Sequence, residues 1–257
     1  YYLSWAIFSA LISIYLLDKG FKASEVSLVV STSFLTSMIF QPVIGMFSDR
    51  YDVKKVNFVL FTLAGIGGLA FMFASSLITI TIGYSFVLTL INGTNPVMEK
   101  IASSSPYQYG KIRIWGTIGY ATGSWLAGMI YQLISPSAIF ICFIITMILC
   151  IIGLLGTQTP SELGQNNEEK TKTSTLFHNY KYLYYLIIAA IFQGITNMAN
   201  TYIPAMFQND GLKVSLVSTI LSFAVLCEAP LVLFSHKFMD KLTNKRLLII
   251  AYSMITI

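Results

Sequence analysis

The chain reads as an all-α integral membrane protein built from two related helical bundles, and three observations predict it. Hydrophobic residues make up 55% of its 257 residues and charged residues 11%, against about one quarter charged in soluble domains. The apolar residues are gathered into stretches that mostly approach or exceed the roughly 20 residues needed to cross a bilayer as helix, and the mean hydropathy is +0.71. A charged tetrad occurs twice between such stretches, 191 residues apart, as Asp49, Arg50, Lys54, Lys55 and as Asp240, Lys241, Lys245, Arg246. In both copies an acid is followed by bases at offsets of one, five and six. Such repetition marks related halves, and duplicated membrane proteins are most often transporters.

Taken in order, the first span ends near Leu17, and the next seven run over Val26–Phe47, Val56–Ala74, Leu77–Ser104, Pro106–Leu133, Ala138–Gly156, Tyr182–Phe207 and Val214–Phe238. A ninth opens at Leu247 and runs to Ile257, so the expected fold is truncated to about nine transmembrane helices, the first and last incomplete. Residues 1–17 lack the basic start and cleavage site of a signal peptide. Ser105-Pro106 predicts the start of span 5, with Ser as N-cap and Pro as first helical residue. The longest polar break, 157–181, contains Gln165-Asn166-Asn167-Glu168-Glu169-Lys170 and reads as a flexible linker. It divides a six-helix bundle, 1–156, from a partial second bundle, 182–257.

Orientation follows from the bases. The turns after spans 2, 4, 6 and 8 carry 13 of the 16 Lys and Arg residues, and the opposite side has only Lys19, Lys22 and Lys213. That bias places the base-rich turns, the linker and the N-terminus in the cytoplasm of a cell-membrane protein. The net charge of +5 therefore reports topology and does not call for a nucleic-acid partner. Cys142, Cys150 and Cys227 have no metal or disulfide spacing. The sequence predicts no metal or other cofactor, and no nucleophile, phosphate-loop or zinc-protease pattern supports an enzyme.

Charges inside the spans carry the chemistry. Glu99 and Arg113 flank the turn between spans 4 and 5 at similar distances, so on antiparallel helices they lie at one depth, about 10 Å in, and can pair. Intramembrane charges mark solute or ion paths, and a guanidinium offers a planar donor fork; the alternative is an ion pair that only ties two helices. Gly116, Thr117, Tyr120 and Ser124 continue one face of span 5 beyond Arg113, small, polar and aromatic. Gly119 and Gly123 have the spacing of close helix packing. Gln193, Asn197, Asn200 and Thr201 form an amide stripe on span 7 that either lines a cavity or bonds a neighbouring helix. Glu228, in Cys227-Glu228-Ala229-Pro230 of span 8, is expected to exchange protons, to bind solute or to do both; the alternative is a carboxyl kept protonated or bonded to a neighbouring helix.

Two motifs resemble a known family. Gly45-x-x-x-Asp49-Arg50-x-x-x-Lys54-Lys55 resembles the loop 2–3 signature of the major facilitator superfamily, and Phe40-Gln41-Pro42 is similar to its lactose permease-like oligosaccharide:proton symporters. Pro96-Val97-Met98-Glu99 with Tyr109-Gly110-Lys111-Ile112-Arg113-Ile114-Trp115-Gly116-Thr117-Ile118-Gly119-Tyr120 resembles that subgroup's helix 4 to helix 5 segment. The resemblance implies the two-bundle fold, alternating access, sugar contacts by Glu99 and Arg113, and Tyr120 at the sugar-stacking position. It also implies a gate on the base-rich side. Asp240, with Lys241, would approach the start of span 5, and Asp49, with Arg50, a helix 11, each acid meeting a positive helix N-terminus. The other reading of the tetrads is a topology signal alone. The expectation is a monomeric, proton-coupled importer of a small polar solute such as a sugar, oligosaccharide or nucleoside. A proton-coupled exporter of small organic compounds and a non-transporting membrane sensor or assembly protein are the alternatives.

Overall fold

A computed structural model describes residues 1–103, 105–157 and 180–234. They form helices α1 (Tyr2–Ser9), α2 (Ile12–Asp18), α3 (Ala23–Arg50), α4 (Val53–Met72), α5 (Leu77–Ser103), α6 (Tyr109–Leu133), α7 (Ala138–Gly156), α8 (Tyr180–Asn209) and α9 (Val214–Leu233). Six are long and apolar enough to cross a membrane, namely α3, α4, α5, α7, α8 from Tyr182, and α9. Helix α6 falls outside that set although its 25 residues span about 37 Å, because Lys111, Arg113, Thr117, Tyr120, Ser124 and Gln132 interrupt its apolar run. The linker core, the second tetrad with Asp240 and Lys241, and the ninth span lie outside the described residues.

Two local expectations need correction. Span 5 does not start at Ser105-Pro106: α6 begins at Tyr109 after Gln108 in an extended conformation (φ −58°, ψ 125°). Ser105 Oγ instead accepts from the Tyr107 N–H at 3.4 Å, a local turn that competes with capping. Arg113 is thus one helical turn inside α6, as Glu99 is inside the end of α5, and the pair sits about 6 Å from the connection instead of about 10 Å. The first span is also broken, at Ala10 and Leu11, where Leu11 leaves helical geometry (φ −114°, ψ 16°). Ser9 Oγ donates to the Trp5 carbonyl at 2.8 Å, and Ser13 Oγ leaves the helix to donate to the Thr201 carbonyl of α8 at 2.6 Å.

The core of α1–α7 is aromatic. Phe8 stacks on Tyr84 (centroids 5.4 Å apart) and meets Phe143 at 4.8 Å, while Phe140 lies edge-on to Phe71 and Tyr15, each at 5.0 Å. These rings join α1, α2, α4, α5 and α7. Glycines let the helices come this close: a Cβ on Gly68 would stand 2.6 Å from the Phe143 ring. Pro96 lacks the N–H that would bind the Asn92 carbonyl. Gln41 Nε2 of α3 donates to that carbonyl at 3.1 Å, so the polar residue of Phe40-Gln41-Pro42 repairs a proline defect in α5.

Helices α8 and α9 dock on the others, α8 against α2 and α9 antiparallel along α6. The hydrogen bonds of this docking run from mid-helix to the end carrying Lys19, Lys22 and Lys213. Ser222 Oγ donates to the Ala121 carbonyl at 2.8 Å, and Gln132 Oε1 accepts from the Ser215 N–H at 2.8 Å. Tyr202 OH donates to Ser27 Oγ at 3.1 Å. Asp18 accepts from Tyr131 of α6 and from Gln208 Nε2 of α8, the latter at 3.0 Å. Gly128 is the closest approach, since a Cβ there would overlap Ser218 and stand 3.1 Å from the Val214 carbonyl. Gly128→Val is expected to overpack this end by about 1–3 kcal/mol and to shift the population toward opening there. Spin-label distances between the ends of α6 and α9 should lengthen; unchanged distances would assign the glycine no part in closure.

Candidate solute-binding site

The structure brings Glu99 and Arg113 together, with Arg113 Nε 3.1 Å from Glu99 Oε1 and the two side chains 30% and 31% exposed. Two tyrosines that sequence reasoning missed complete the arrangement. Tyr109, the first residue of α6, donates to Glu99 Oε2 at 2.6 Å. Tyr2 of α1 donates to Glu99 Oε1, also lies 3.1 Å from Asn95 Oδ1, and places its ring 4.5 Å from the Arg113 guanidinium carbon. Both oxygens of Glu99 are therefore held, and an ionised carboxylate offers only about four acceptor positions. The one signal for Tyr2 was its position at the start of a span, level with the base-rich end; nothing in a lone Tyr announces a partner 97 residues away.

A second feature lies deeper. Trp5, Ser9, Ala10, Phe34, Tyr84, Leu88 and Asn92 face Tyr120, Asn197, Asn200 and Thr201 around a cavity of about 60 Å³ between α8 and the first helices. The break between α1 and α2 opens into it. Pro204 has no N–H for the Asn200 carbonyl, so that carbonyl loses its usual helical donor at the cavity wall. Trp5 separates this cavity from the ion pair, its ring 6.1 Å from Tyr2 on one side and 6.2 Å, edge-on, from Tyr120 on the other. At this volume the cavity is well below the roughly 300–1,000 Å³ of occupied ligand sites.

The remaining sequence-predicted residues are placed as follows. Asn197 and Asn200 line the cavity, whereas Gln193, one turn toward the base-rich end, is exposed and outside its lining. Glu228 lies inside α9 with an exposed side chain. Its exposure follows from register: α9 packs on α6 through Val214, Ser218 and Ser222, and a residue six positions after Ser222 is rotated about 120° off that face. Antiparallel pairing of Ser222 with Ala121 sets it level with Trp115. Gly119 and Gly123 carry the approach of α1, since a Cβ on Gly123 would meet the Leu3 backbone and stand 3.0 Å from Ala6 Cβ. In the first tetrad Asp49, Arg50 and Lys55 are exposed and Lys54 is half-buried. A Cβ on Gly45 would meet nothing within 4 Å, so packing among the described residues does not explain that glycine. Asp52, which sequence reasoning passed over, caps α4 by accepting from the Lys55 N–H at 2.9 Å; an Asp just before an apolar run was the available signal.

Six membrane-length helices among the described residues define a multi-pass membrane protein, with a polar, aromatic cavity and, separated from it by Trp5, a paired acid and base. The chain belongs to the Major Facilitator Superfamily, whose family model matches residues 1–257. It is similar to the uncharacterized transporter YwbF of Bacillus subtilis (strain 168), 27% identical over 242 residues, which are 90% of this chain and 60% of that protein. It is also similar to the probable 3-phenylpropionic acid transporter of Escherichia coli (strain K12), 21% identical over 98% of this chain and 68% of that protein. The raffinose permease of Escherichia coli is 26% identical over 47% of this chain and 31% of its own length. The chain thus spans between one third and about two thirds of these relatives. No solved structure matches it significantly.

Proposed function

We propose that this chain is part of a proton-coupled symporter of the cell membrane that imports a small polar solute, a sugar, oligosaccharide or nucleoside, by alternating access. The observation that carries the reading is the Glu99–Arg113 pair, half-exposed at 3.1 Å beside a cavity whose wall joins Tyr120 of α6 to Asn197 and Asn200 of α8. A solute there touches both groups of helices, as alternating access requires. The raffinose and sucrose permeases among the relatives favour a sugar. The lysine and arginine bias puts the base-rich end in the cytoplasm, where Asp49 and Asp240 with their neighbouring bases form the proposed gate. Glu228, level with Trp115 on α9, is the proposed proton carrier and a second solute contact, with Gln193 on the path toward it. The unit of transport is the monomer.

A second reading, an acidic solute, is favoured by one observation. Glu99 already takes three donors, so the groups of the pair left for a solute are guanidinium N–H donors, which suit a carboxylate as well as hydroxyls. Counterflow of labelled raffinose, maltose, uridine and 3-phenylpropionate in vesicles of the whole carrier, with proton uptake recorded alongside, separates these readings. Exchange of one solute is expected, and net uptake of that solute should alkalinise the medium. Failure of all four to exchange, or exchange of one that moves no proton in net uptake, would overturn the symport proposal.

A further inference from the structure

Arg113 has a long side chain with about 2 kcal/mol of rotamer entropy, and one ion-pair contact does not fix the plane of its fork. The structure supplies what does. The Arg113 guanidinium carbon lies over the Tyr2 ring, 4.5 Å from its centroid. The hydroxyl of the same ring is spent on Glu99 Oε1, with Asn95 Oδ1 3.1 Å away. Ring and guanidinium both lie against α6 at Gly116, where a Cβ would stand 2.7 Å from Tyr2 Cδ2 and 2.7 Å from Arg113 Nη1. Any side chain at 116 would thus push the ring and the guanidinium off the helix. With Nε committed to Glu99, the guanidinium carbon over the Tyr2 ring and Nη1 against Gly116, the orientation of the guanidinium is set.

We propose that Tyr2 is a positioning residue of the solute site: seated over Gly116, it holds the Glu99–Arg113 pair so that the Nη edge of the guanidinium is the group presented to solute. This rests on the reading of that pair as solute-binding. Tyr2 is not itself a solute contact, because its hydroxyl and one ring face are already occupied by the pair.

The test has an arm that needs no solute. Arg113 is accessible enough to react with phenylglyoxal, and its modification can be followed by mass spectrometry of the peptide containing it, with the exposed Arg50 as internal reference. In the whole carrier, Tyr2→Leu and Gly116→Ala should each speed modification of Arg113 by about tenfold, as expected for loss of a cation–π and hydrogen-bonded contact. Tyr2→Phe, which keeps the ring, should fall between them and the parent, and Arg50 should not change. Equal rates at Arg113 in all four proteins overturn the proposal. If Tyr2→Leu does not fold, Tyr2→Phe and Gly116→Ala decide by the same criterion. In the second arm, with whichever of the four solutes the carrier transports, Tyr2→Phe should raise KM several-fold and leave the maximal rate unchanged. A normal KM in the Tyr2 variants alongside a raised KM in Arg113→Lys removes Tyr2 and keeps the pair. A normal KM in Arg113→Lys as well removes the binding reading on which the proposal rests.

Discussion

Arg113→Lys is expected to weaken solute binding by about 10–100-fold, on the order of 1.4–2.8 kcal/mol, while the carrier still folds. Lysine keeps the charge but not the planar fork, so the contact of Nε with Glu99, the stacking on Tyr2 and the Nη edge are lost together. Folding should survive because Glu99 retains both tyrosine donors, Tyr2 and Tyr109, and is not left as a bare buried charge. Thermal melting within a few degrees of the parent, combined with the affinity loss in counterflow, is the expected pattern. Unchanged affinity would reduce the pair to a tie between α5 and α6.

Glu228→Gln is expected to abolish proton-driven accumulation while solute-for-solute exchange continues in part. Exchange requires no net deprotonation, so a group that only carries the proton can be neutralised without stopping it. Glu228 sits on α9 level with Trp115, about one and a half helical turns from the level of Tyr120. Accumulation against a gradient in the variant would move the coupling group elsewhere in the carrier. Loss of exchange together with accumulation would make Glu228 a solute contact first.

The spans were legible because the bilayer demands long apolar runs, and α5, α7 and α9 start or end where hydropathy changes. Glu99 and Arg113 were legible for the complementary reason: charges are so costly in such runs that each needs a partner. What stayed hidden shares a different property. The break at Ala10–Leu11 involves neither Gly nor Pro; serine hydroxyls that take or reach carbonyls accompany it, and serines occur throughout the chain. Tyr2, Trp5 and Tyr109 belong to the most ordinary membrane vocabulary, and only tertiary placement distinguishes them from the other tyrosines and tryptophans. The start of α6 was misplaced because Ser105-Pro106 satisfies both a cap and a turn, and the side chain chose the Tyr107 N–H. Gln41 was noticed as part of a motif, but its task, serving a carbonyl stranded by Pro96 on another helix, could not be read from either segment alone.

The contact of Ser222 with Ala121 has a mechanical consequence. Ala121 stands twelve residues from each end of α6, so it divides the helix into two equal arms of about 18 Å. If α9 rocks on α6 about this fulcrum, a tilt of about 10° parts the ends by about 3 Å and the level of Arg113, eight residues out, by about 2 Å. Tyr120, beside the pivot, hardly moves relative to α9. A solute leaning on Tyr120 would then rest near the still point of the lever, while the gap between Arg113 and the arm carrying Glu228 opens by enough to break a hydrogen bond. The same stroke that exposes the solute would also loosen the grip on it.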